Sequence, residues 1–435
     1  MLRRIVYPFQ EFEQTQARSG LLVLFTALVA LAWFNSPWGA SYTQTWNTPL
    51  TIAFGKLSLS KPLTYWINNA LMAAFFLVIT LELKRMFRAG ELYRFRDAAF
   101  AVAAALGGLA FPAGLYLYLN DGLAGQSGWT IPLATDVTAA LALLGLAGRN
   151  VPLALRAFLA ASAILQTLGA VLLSLALYTS VTNLLSLSVG TGIFGLLVVL
   201  RALRNRSMWL YLLLGLIMWG AFLLAGVNGA VAGVLLALVI PVHSRVSEEE
   251  FIATADTVMG QLHALHMVKR PEREKDIEED YQATAHTLKA NCREALSPLR
   301  RLLHQLLPWA AYAVLPLFVL SNAAFAYNSF EVRELLGSVS MGIVLALVVG
   351  KPIGMLLLAW LATASRIASK PRGTTWGQLA GAALLAGTGF TMSLFVAGEA
   401  LTDTALVVPM KISIFLSSVI AAIAGLLLLL ATVKE

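Results

Sequence analysis

Charged residues and cysteines are both scarce in this sequence. Asp, Glu, Lys and Arg make up 12% of the 435 residues, whereas an ordinary soluble domain carries roughly 25%. The single cysteine, Cys292, which we place in the cytoplasm, excludes a disulfide within the chain. The sequence has no evident cluster of metal ligands, phosphate-binding glycine loop or nucleophile triad. These deficits argue against a soluble enzyme, and they predict neither a cofactor nor a resident metal.

The abundant residues are apolar, and they predict a protein that is embedded in a bilayer. Hydrophobic residues account for 58% of the chain, and the mean hydropathy is +0.76. A helix that crosses a membrane needs about 20 mainly apolar residues. The sequence therefore predicts an all-α membrane protein with twelve transmembrane helices. The predicted spans are Leu21–Ser36, Leu63–Leu83, Ala98–Leu119, Ile131–Gly148, Pro152–Tyr178, Leu184–Leu200, Met208–Leu224, Gly229–Val242, Leu306–Ala326, Gly337–Ala362, Gly377–Ala400 and Ala405–Ala431.

The basic residues predict the orientation, because Lys and Arg are enriched in cytoplasmic loops. With the amino terminus inside, twelve spans leave both termini in the cytoplasm and place there all but five of the 31 Lys and Arg residues. We therefore predict a multi-pass inner-membrane protein. Its net charge of +8 then reflects topology and contact with anionic membrane lipid, and not nucleic-acid binding. The five exceptions are Lys56, Lys61 and Arg333 outside, and Lys351 and Lys411 within spans.

A polar segment interrupts the apolar pattern and divides the chain into three parts. Residues 1–242 carry the first eight spans, 243–305 form a cytoplasmic polar insertion, and 306–435 carry the last four. Two interpretations of the insertion stay open. It is either a solvated linker with short amphipathic helices, or a pH-responsive element, because histidine titrates near neutrality. All five histidines lie in it or at its edge: His243, His263, His266, His286 and His304.

Two of the predicted spans contain interruptions by glycine, proline or polar residues. In the fourth span, Gly128 and Pro132 precede Ala134-Thr135-Asp136. In the eleventh, the interruption is Ala386-Gly387-Thr388-Gly389-Phe390-Thr391. Paired interruptions in the two halves of a membrane-protein sequence indicate inverted repeats, with broken helices that cross near the membrane midplane. The simpler alternative is two independent sites where glycine allows helices to pack closely.

Few ionisable residues fall inside the predicted spans, where a charge costs at least about 2.5–3.5 kcal/mol. Asp136, on the broken fourth span, and Lys351, midway along the tenth, are the two that lie deep. They therefore mark the functional centre. The structural alternative is that they only compensate the dipoles of the broken helices, with the acid at the amino termini and the lysine at the carboxyl termini. Glu82 lies beside Lys84 and Arg85 at a cytoplasmic end, which predicts an interfacial ion pair.

Several stretches resemble the bacterial NhaA-type sodium/proton antiporter family, and they keep the order and spacing of that family from about residue 60 to 400. The resemblance implies a core domain with crossed fourth and eleventh helices, an interface domain and a homodimer. It also implies exchange of two protons for one sodium or lithium ion. The matching stretches are Trp66-Ile67-Asn68-Asn69-Ala70-Leu71-Met72, Leu81-Glu82-Leu83-Lys84-Arg85, Ala134-Thr135-Asp136, Val151-Pro152-Leu153-Ala154-Leu155, Gly350-Lys351-Pro352 and Gly389-Phe390-Thr391-Met392-Ser393.

The chain departs from this family at the residues that the resemblance would make sodium ligands and proton carriers. The family's fifth helix carries an Asp-Asp pair before Leu-Gly-Ala, and here Gln166 and Thr167 occupy those positions. A carboxylate of the second helix is also lost. Titratable positions linked to pH regulation are replaced too, which leaves Glu82 and His304 as candidates for a pH response. The lost carboxylate is at Asn69 of Asn68-Asn69, and the replaced titratable positions are Met86, Leu303 and Leu307.

Three functions remain open on the sequence. The first is a monovalent-cation transporter with altered or lost proton coupling, in which Asp136 or Lys351 carries any proton. Thr135, Gln166 and Thr167 would then supply oxygen ligands to a sodium ion near Asp136. The second is a carrier of another solute, such as an organic anion attracted by Lys351. The third is a relative that transports nothing and has a sensory or structural role.

Overall fold

The computed structural model describes residues 2–54, 57–123, 125–148, 150–203, 205, 207–242, 248–267, 282, 284, 297–326, 332–400 and 403–433. Within these ranges the chain is mainly helical. The first group of helices is α1 (Leu2–Phe34), α2 (Gly39–Asn47), α3 (Leu63–Ala89), α4 (Phe95–Leu119), α5 (Val137–Leu146), α6 (Leu153–Tyr178), α7 (Leu184–Ala202), α8 (Met208–Leu224) and α9 (Ala230–Val239). The second group is α10 (Glu248–Met267), α11 (Pro298–Asn322), α12 (Ser338–Ala364), α13 (Trp376–Leu385), α14 (Phe390–Ala400) and α15 (Thr404–Thr432). Short 3-10 helices cover Gln126–Leu133 and Val332–Leu336.

The apolar helices agree with the prediction of a helical membrane protein. In the described ranges, eight helices are long and apolar enough to cross a membrane, and two bent helix pairs bring the number to as many as ten. Two further apolar helices, α8 and α9, are shorter. Each predicted span falls on one of these elements. The number of twelve spans and the inverted repeats stay predictions.

A small β-hairpin is an addition to the purely helical prediction. Strands β1 (Pro49–Phe54) and β2 (Leu57–Pro62) pair antiparallel, with Pro49 opposite Pro62 and Phe54 opposite Leu57. The hairpin lies between α2 and α3. Each strand has six residues, whereas a membrane span has about 20 apolar residues. The hydropathy pattern that reveals spans therefore does not reveal these strands.

The first helix begins earlier than its apolar run. Helix α1 starts at Leu2, whereas the predicted span starts at Leu21. Its polar first half is anchored to the protein: Arg156 Nη1 lies 2.5 Å from Glu13 Oε1, and Thr138 Oγ1 donates to Gln16 Oε1 at 2.6 Å. These contacts extend the helix beyond its hydrophobic part.

Helix α6 lies inside the helical assembly and carries part of the candidate site. Of its apolar window, 78% is buried, compared with 11% for the peripheral α7. Its buried face is rich in alanine, for example at Ala157, Ala160 and Ala163. Small side chains allow close approach of neighbouring helices, so the helix brings its polar residues up to the interrupted segments.

A π turn sets the position of Lys351 on α12. The turn covers Ala346–Gly350 and directly precedes Lys351 and Pro352. Proline lacks a backbone N–H and disturbs the regular helix ladder. Wider π turns are rare and occur mostly as single turns inside α-helices, frequently at functional sites. Helix α12 packs so closely on α4 that a Cβ on Gly107 would collide with the Gly354 carbonyl oxygen.

The predicted insertion lies largely outside the described residues. Of 243–305, the structure describes helix α10, residues 282 and 284, and the chain from 297 onward. The predicted roles of this segment and of His243 and His286 therefore lie outside the described residues.

Candidate functional site

The two predicted interruptions are breaks between helices, and they contact each other. The 3-10 helix Gln126–Leu133 meets α5 at 43°, and α13 meets α14 at 49°. Between these helices, the extended residues bond across the breaks: the Asp136 N–H donates to the Thr388 carbonyl oxygen at 2.7 Å. Thr135 Oγ1 also lies 2.9 Å from the Ala386 carbonyl oxygen. The breaks therefore form one joint polar centre.

Asp136 lies at the amino termini of two helices. It is the N-cap of α5, and its Oδ1 accepts from the Ala139 N–H at 3.0 Å. Its Oδ2 accepts from the Thr391 N–H at 3.1 Å and from the Thr391 hydroxyl at 2.6 Å, in the first turn of α14. The side chain is buried. Both helix termini carry partial positive charge, so this is the geometry expected for dipole compensation by an acid.

Lys351 lies on the other side of the breaks and is fully buried. Its Nζ donates to the Ala134 carbonyl oxygen at 2.6 Å and to Thr135 Oγ1 at 3.0 Å. Ala134 directly follows the 3-10 helix. The ammonium group therefore faces a helix carboxyl end, where cations are favoured. Lys351 and Asp136 are both described residues, and their charged groups do not come within the 4.0 Å of an ion pair.

Gln166 and Thr167 of α6 complete the polar centre, and both are fully buried. Gln166 Oε1 lies 3.0 Å from Thr135 Oγ1, and its Nε2 lies 3.4 Å from the Met355 sulfur. The Thr167 hydroxyl reaches the carbonyl oxygen of Thr135 and, at 2.9 Å, that of Ala163. The replaced pair is thus bonded to the broken fourth segment, and it does not contact Asp136 through any described hydrogen bond.

The hydroxyl of Thr135 connects these groups. It has one proton, so it accepts from Lys351 and donates either to Gln166 Oε1 or to the Ala386 carbonyl oxygen. We refer to Ala134 O, Thr135 Oγ1, Gln166 Oε1 and Ala386 O as the oxygen cluster. All four are uncharged oxygens, and carbonyl oxygens of unwound backbone coordinate Na+ in transporters with broken helices. The cluster is therefore chemically suited to a monovalent cation or to an ammonium group.

The glycines of the eleventh span allow close contacts around its break. A Cβ on Gly387 would lie 2.6 Å from the Leu347 carbonyl oxygen, and one on Gly389 would collide with Ser393 Oγ. The Ser393 hydroxyl in turn donates to the Ile131 carbonyl oxygen at 3.0 Å. A larger residue at Gly387 would therefore press on α12, and one at Gly389 would displace the Ser393 hydroxyl and lie 3.3 Å from the Ala134 carbonyl oxygen.

Glu82 forms an ion pair with Arg85, as the sequence predicts, and both side chains are buried. It forms two bonds to Arg85, with Nε to Oε2 at 2.9 Å and Nη2 to Oε1 at 2.7 Å. Arg85 also reaches Glu91 at 3.0 Å. Lys84 does not join the pair, since its Nζ donates to carbonyl oxygens at the end of α9, among them Leu238 O at 2.6 Å.

His304, the second candidate for a pH response, lies at the surface. Its Nδ1 is 2.7 Å from Glu11 Oε1, and the side chains are 72% and 48% exposed. It does not contact the buried group of Glu82, Arg85 and Glu91 through any described bond. The two candidates are therefore separate features, one buried and one exposed.

The sequence does not predict two features of the site. They are the backbone carbonyl oxygens and the space that a glycine leaves for a neighbouring side chain. The carbonyl oxygens of Ala134 and Ala386 have no side-chain signal. Gly108 of α4 faces Gln166, and a Cβ there would lie 2.7–2.9 Å from its amide atoms. The glycine doublet at 107 and 108 marks a close helix contact, but the sequence does not show which residue fills the space.

Helix breaks that contact each other, with buried opposite charges at the helix ends, are typical of secondary transporters. The fold and the site therefore indicate a protein of the secondary-transporter class. A family model described as Na+/H+ antiporter 1 matches residues 10–429. A protein of Oleidesulfovibrio alaskensis is 39% identical over 98% of this chain and 94% of its own length. Proteins of Koribacter versatilis and Rhizobium meliloti are 37% and 38% identical, over 97% and 98% of this chain and 90% and 95% of their own lengths. All three are named Na(+)/H(+) antiporter NhaA.

The chain therefore belongs to the Na+/H+ antiporter 1 family, whose members resemble it over nearly its whole length. The resemblance inferred from the sequence motifs is confirmed. The protein is an antiporter-like, multi-pass membrane transporter and not an enzyme.

Proposed function

We propose that this protein exchanges a monovalent cation, Na+ in the first place, for a single proton that is carried by Lys351. The observation that carries the proposal is the environment of the Lys351 ammonium group. It is held by two uncharged oxygens, Ala134 O at 2.6 Å and Thr135 Oγ1 at 3.0 Å. A proton leaving Lys351 would free these acceptors, and Na+ would take the place of the ammonium group in the oxygen cluster.

Charge conservation at the breaks supports a one-for-one exchange. With Lys351 protonated and no cation bound, Asp136 and Lys351 sum to zero. With Lys351 neutral and Na+ in the oxygen cluster, the sum is again zero. A buried net charge is costly in a membrane protein, so exchange between these two states avoids it. The coupling differs from the two-for-one exchange that the family resemblance implies.

Asp136 has a supporting role in this proposal. Three donors already occupy its oxygens, namely the Ala139 N–H and the N–H and hydroxyl of Thr391. We propose that it anchors both helix amino termini and supplies the negative charge that balances the cation. A direct Na+ contact with Asp136 would require it to give up one of these bonds.

Gln166 and Thr167 explain why the coupling would change. An amide and a hydroxyl offer oxygen ligands, but they do not carry protons at physiological pH. The proton-carrying capacity that the family pair would provide is therefore lost, and Lys351 remains beside the oxygen cluster.

We propose that the transporter lies in the inner membrane as a homodimer, with both termini in the cytoplasm and anionic lipid around its basic loops.

Purified protein in proteoliposomes tests the proposal directly. An outward Na+ gradient should drive proton uptake at a rate that does not change when a K+ diffusion potential of either sign is imposed with valinomycin. Lys351→Met should abolish the exchange, whereas Lys61→Gln, which alters an exposed lysine of β2, should leave it unchanged. Exchange that is driven by the potential alone would refute the one-proton coupling, and exchange retained by Lys351→Met would refute the role of Lys351.

Growth of an antiporter-deficient, salt-sensitive bacterium gives an independent test. An exchanger without net charge movement cannot use the membrane potential to expel Na+, so the unmodified protein should fail to restore growth in high Na+ at alkaline pH. The double variant Gln166→Asp with Thr167→Asp should restore potential-dependent exchange if it folds. Its melting temperature must be compared first, because new buried charges cost several kcal/mol. Vigorous growth with the unmodified protein, abolished by Asp136→Asn, would contradict the proposal.

The two other functions inferred from the sequence give different outcomes in the same experiments. An organic-anion carrier is motivated by Lys351 as a cation without an Asp partner. The ammonium group is nevertheless already bonded to Ala134 O and Thr135 Oγ1, which an anion would have to displace. Uptake of a radiolabelled carboxylate without any Na+ exchange would support it instead. Absence of flux for every cation and anion tested in proteoliposomes would support a relative with a sensory or structural role.

A further inference from the structure

A second polar cavity lies away from the helix breaks, and neither the family resemblance nor the proposed exchange uses it. Its volume is about 330 Å³, which is within the range of small-ligand pockets. It lies between α2, the ends of α1 and α11, and the first turns of α3 and α15. We call it the α2 cavity. Two of the residues that line it, Lys411 and Trp46, carry N–H donors for which the described residues provide no acceptor.

Lys411 supplies a positive charge at the α2 cavity. Its Nζ donates to the Ala324 carbonyl oxygen at 2.9 Å. An ammonium group has three N–H donors, and the described part of the chain provides no hydrogen-bond acceptor for the other two. The described residues that line the cavity include no Asp or Glu, so no lining carboxylate neutralises this charge.

Trp46 supplies a neutral donor at the same cavity. Its indole Nε1 is buried and has no hydrogen-bond partner among the described residues. Buried donors in folded proteins nearly always have a partner, so an unpaired one calls for an explanation. The ring is held firmly, because Trp46 forms edge contacts with Trp33 and Tyr42 at centroid distances of 6.5 and 6.1 Å. This packing fixes the donor in place.

Tyr42 forms an uncharged aromatic wall beside these donors. Its hydroxyl donates to the Leu320 carbonyl oxygen at 2.7 Å. Burial raises the pKa of Tyr42 to about 12, so the phenol stays neutral at physiological pH. Phe34, Phe325 and Val407 add further apolar surface to the lining. The α2 cavity therefore combines the cation of Lys411 and an indole N–H that has no partner among the described residues with a mainly aromatic and aliphatic wall.

Compensation of a helix dipole explains only part of this arrangement. Ala324 lies two residues beyond the end of α11 at Asn322, so Lys411 is near the carboxyl end of that helix, where a cation is favoured. This role uses one N–H of the ammonium group. It does not account for the buried indole donor of Trp46 or for the volume of the cavity.

We propose that the α2 cavity binds a small apolar monocarboxylate, of the size and chemistry of benzoate. The carboxylate would accept from Lys411 and from the Trp46 N–H, and the apolar body would pack against Tyr42, Phe34 and Val407. Charge-assisted hydrogen bonds to carboxylates are the stronger ones in proteins. The site would thus prefer an acid anion over a neutral amide or an amine of the same shape.

Binding of radiolabelled benzoate to the purified full-length protein in detergent tests this site. We expect saturable binding to the wild type, no displacement by benzamide or benzylamine, and little displacement by chloride at the same concentration. Lys411→Gln should weaken binding by about tenfold or more, because a bond to a charged group is lost. Trp46→Phe, which keeps an aromatic ring, should weaken it by about three- to tenfold.

Two further variants keep the experiment decisive. Lys411→Arg retains a positive charge and should retain binding even where Lys411→Gln folds poorly. Lys61→Gln removes an exposed lysine that stacks over Tyr65 outside the cavity lining, and its affinity should equal that of the wild type. The inference is overturned by absence of saturable binding, by equal affinity of Lys411→Gln and the wild type, or by displacement with chloride as effective as with benzoate.

Discussion

Replacing Gly108 by alanine tests whether the packing around Gln166 holds the polar centre together. A Cβ at this position would lie 2.7 Å from Gln166 Oε1, 2.8 Å from Cδ and 2.9 Å from Nε2. The amide is fully buried, so it can move away only by leaving Thr135 Oγ1. Gly108→Ala should therefore disturb the oxygen cluster without changing any of its atoms.

Opposing contributions set the expected change in the unfolding free energy of Gly108→Ala. Overpacking of a well-packed site costs about 1–3 kcal/mol, and a lost buried hydrogen bond adds about 1 kcal/mol. Replacement of glycine by alanine within a helix returns about 0.5–1 kcal/mol. The net loss of unfolding free energy should therefore be about 1–3 kcal/mol. A Cβ on Gly114 of the same helix would have no neighbouring atom within 4 Å, so Gly114→Ala should be neutral or slightly stabilising.

A double-mutant cycle with Gln166→Ala identifies the contact responsible. The shorter side chain removes the amide that the added methyl group would strike, so Gly108→Ala should become nearly neutral in that background. Stability is measured by unfolding in detergent for all four proteins of the cycle. The reasoning is refuted if Gly108→Ala is as harmless as Gly114→Ala, or if its cost is the same with and without the Gln166 amide.

Three further predictions concern the charged groups. Lys351→Ala should lower stability by about 2–4 kcal/mol, because a buried cavity forms and two bonds are lost; an unchanged detergent melting temperature would contradict this. Thr391→Val should cost about 1.5–3 kcal/mol through the lost bond to the Asp136 carboxylate, whereas Thr191→Val, on the exposed side of α7, should change the melting temperature little. His304→Gln should alter the pH profile of exchange only slightly, since its contact with Glu11 is exposed; loss of a steep alkaline activation would show otherwise.

Hydropathy predicted the helices well because a spanning helix must satisfy its backbone bonds within a long apolar segment. It located the start of α1 poorly. Glu13 and Gln16 reduce the hydropathy of that region, yet both are buried and bound to residues of distant helices. The hairpin carried a weak local signal in Leu57-Ser58-Leu59-Ser60, whose alternation is typical of a strand. Tertiary contacts and short strands are thus the features that an apolar window does not detect.

The sequence predicts which side chains form the candidate site, but it does not predict their hydrogen-bond partners. Asp136 and Lys351 stood out because ionisable residues are rare in spans, and the structure brings both to the same breaks. Their hydrogen-bond partners include the carbonyl oxygens of Ala134 and Ala386. Every residue has a carbonyl oxygen, and only the unwinding of the backbone makes these two available. The ion pair of Glu82 with Arg85 could be predicted from their spacing in the sequence, whereas its burial depends on the packing of neighbouring helices.

The retention of Asp136 and Lys351 beside a replaced acidic pair has a physical explanation in the geometry of the breaks. Four helix ends meet there, and each carries partial charge in a region that water does not readily screen. Asp136 bonds two amino termini through Ala139 and Thr391, and Lys351 bonds a carboxyl end at Ala134. Removing either residue would leave helix ends uncompensated. Gln166 and Thr167 bond the broken fourth segment as uncharged groups and do not bond Asp136 through any described hydrogen bond. The helix ends at the breaks therefore account for the positions of Asp136 and Lys351 without reference to the pair on α6.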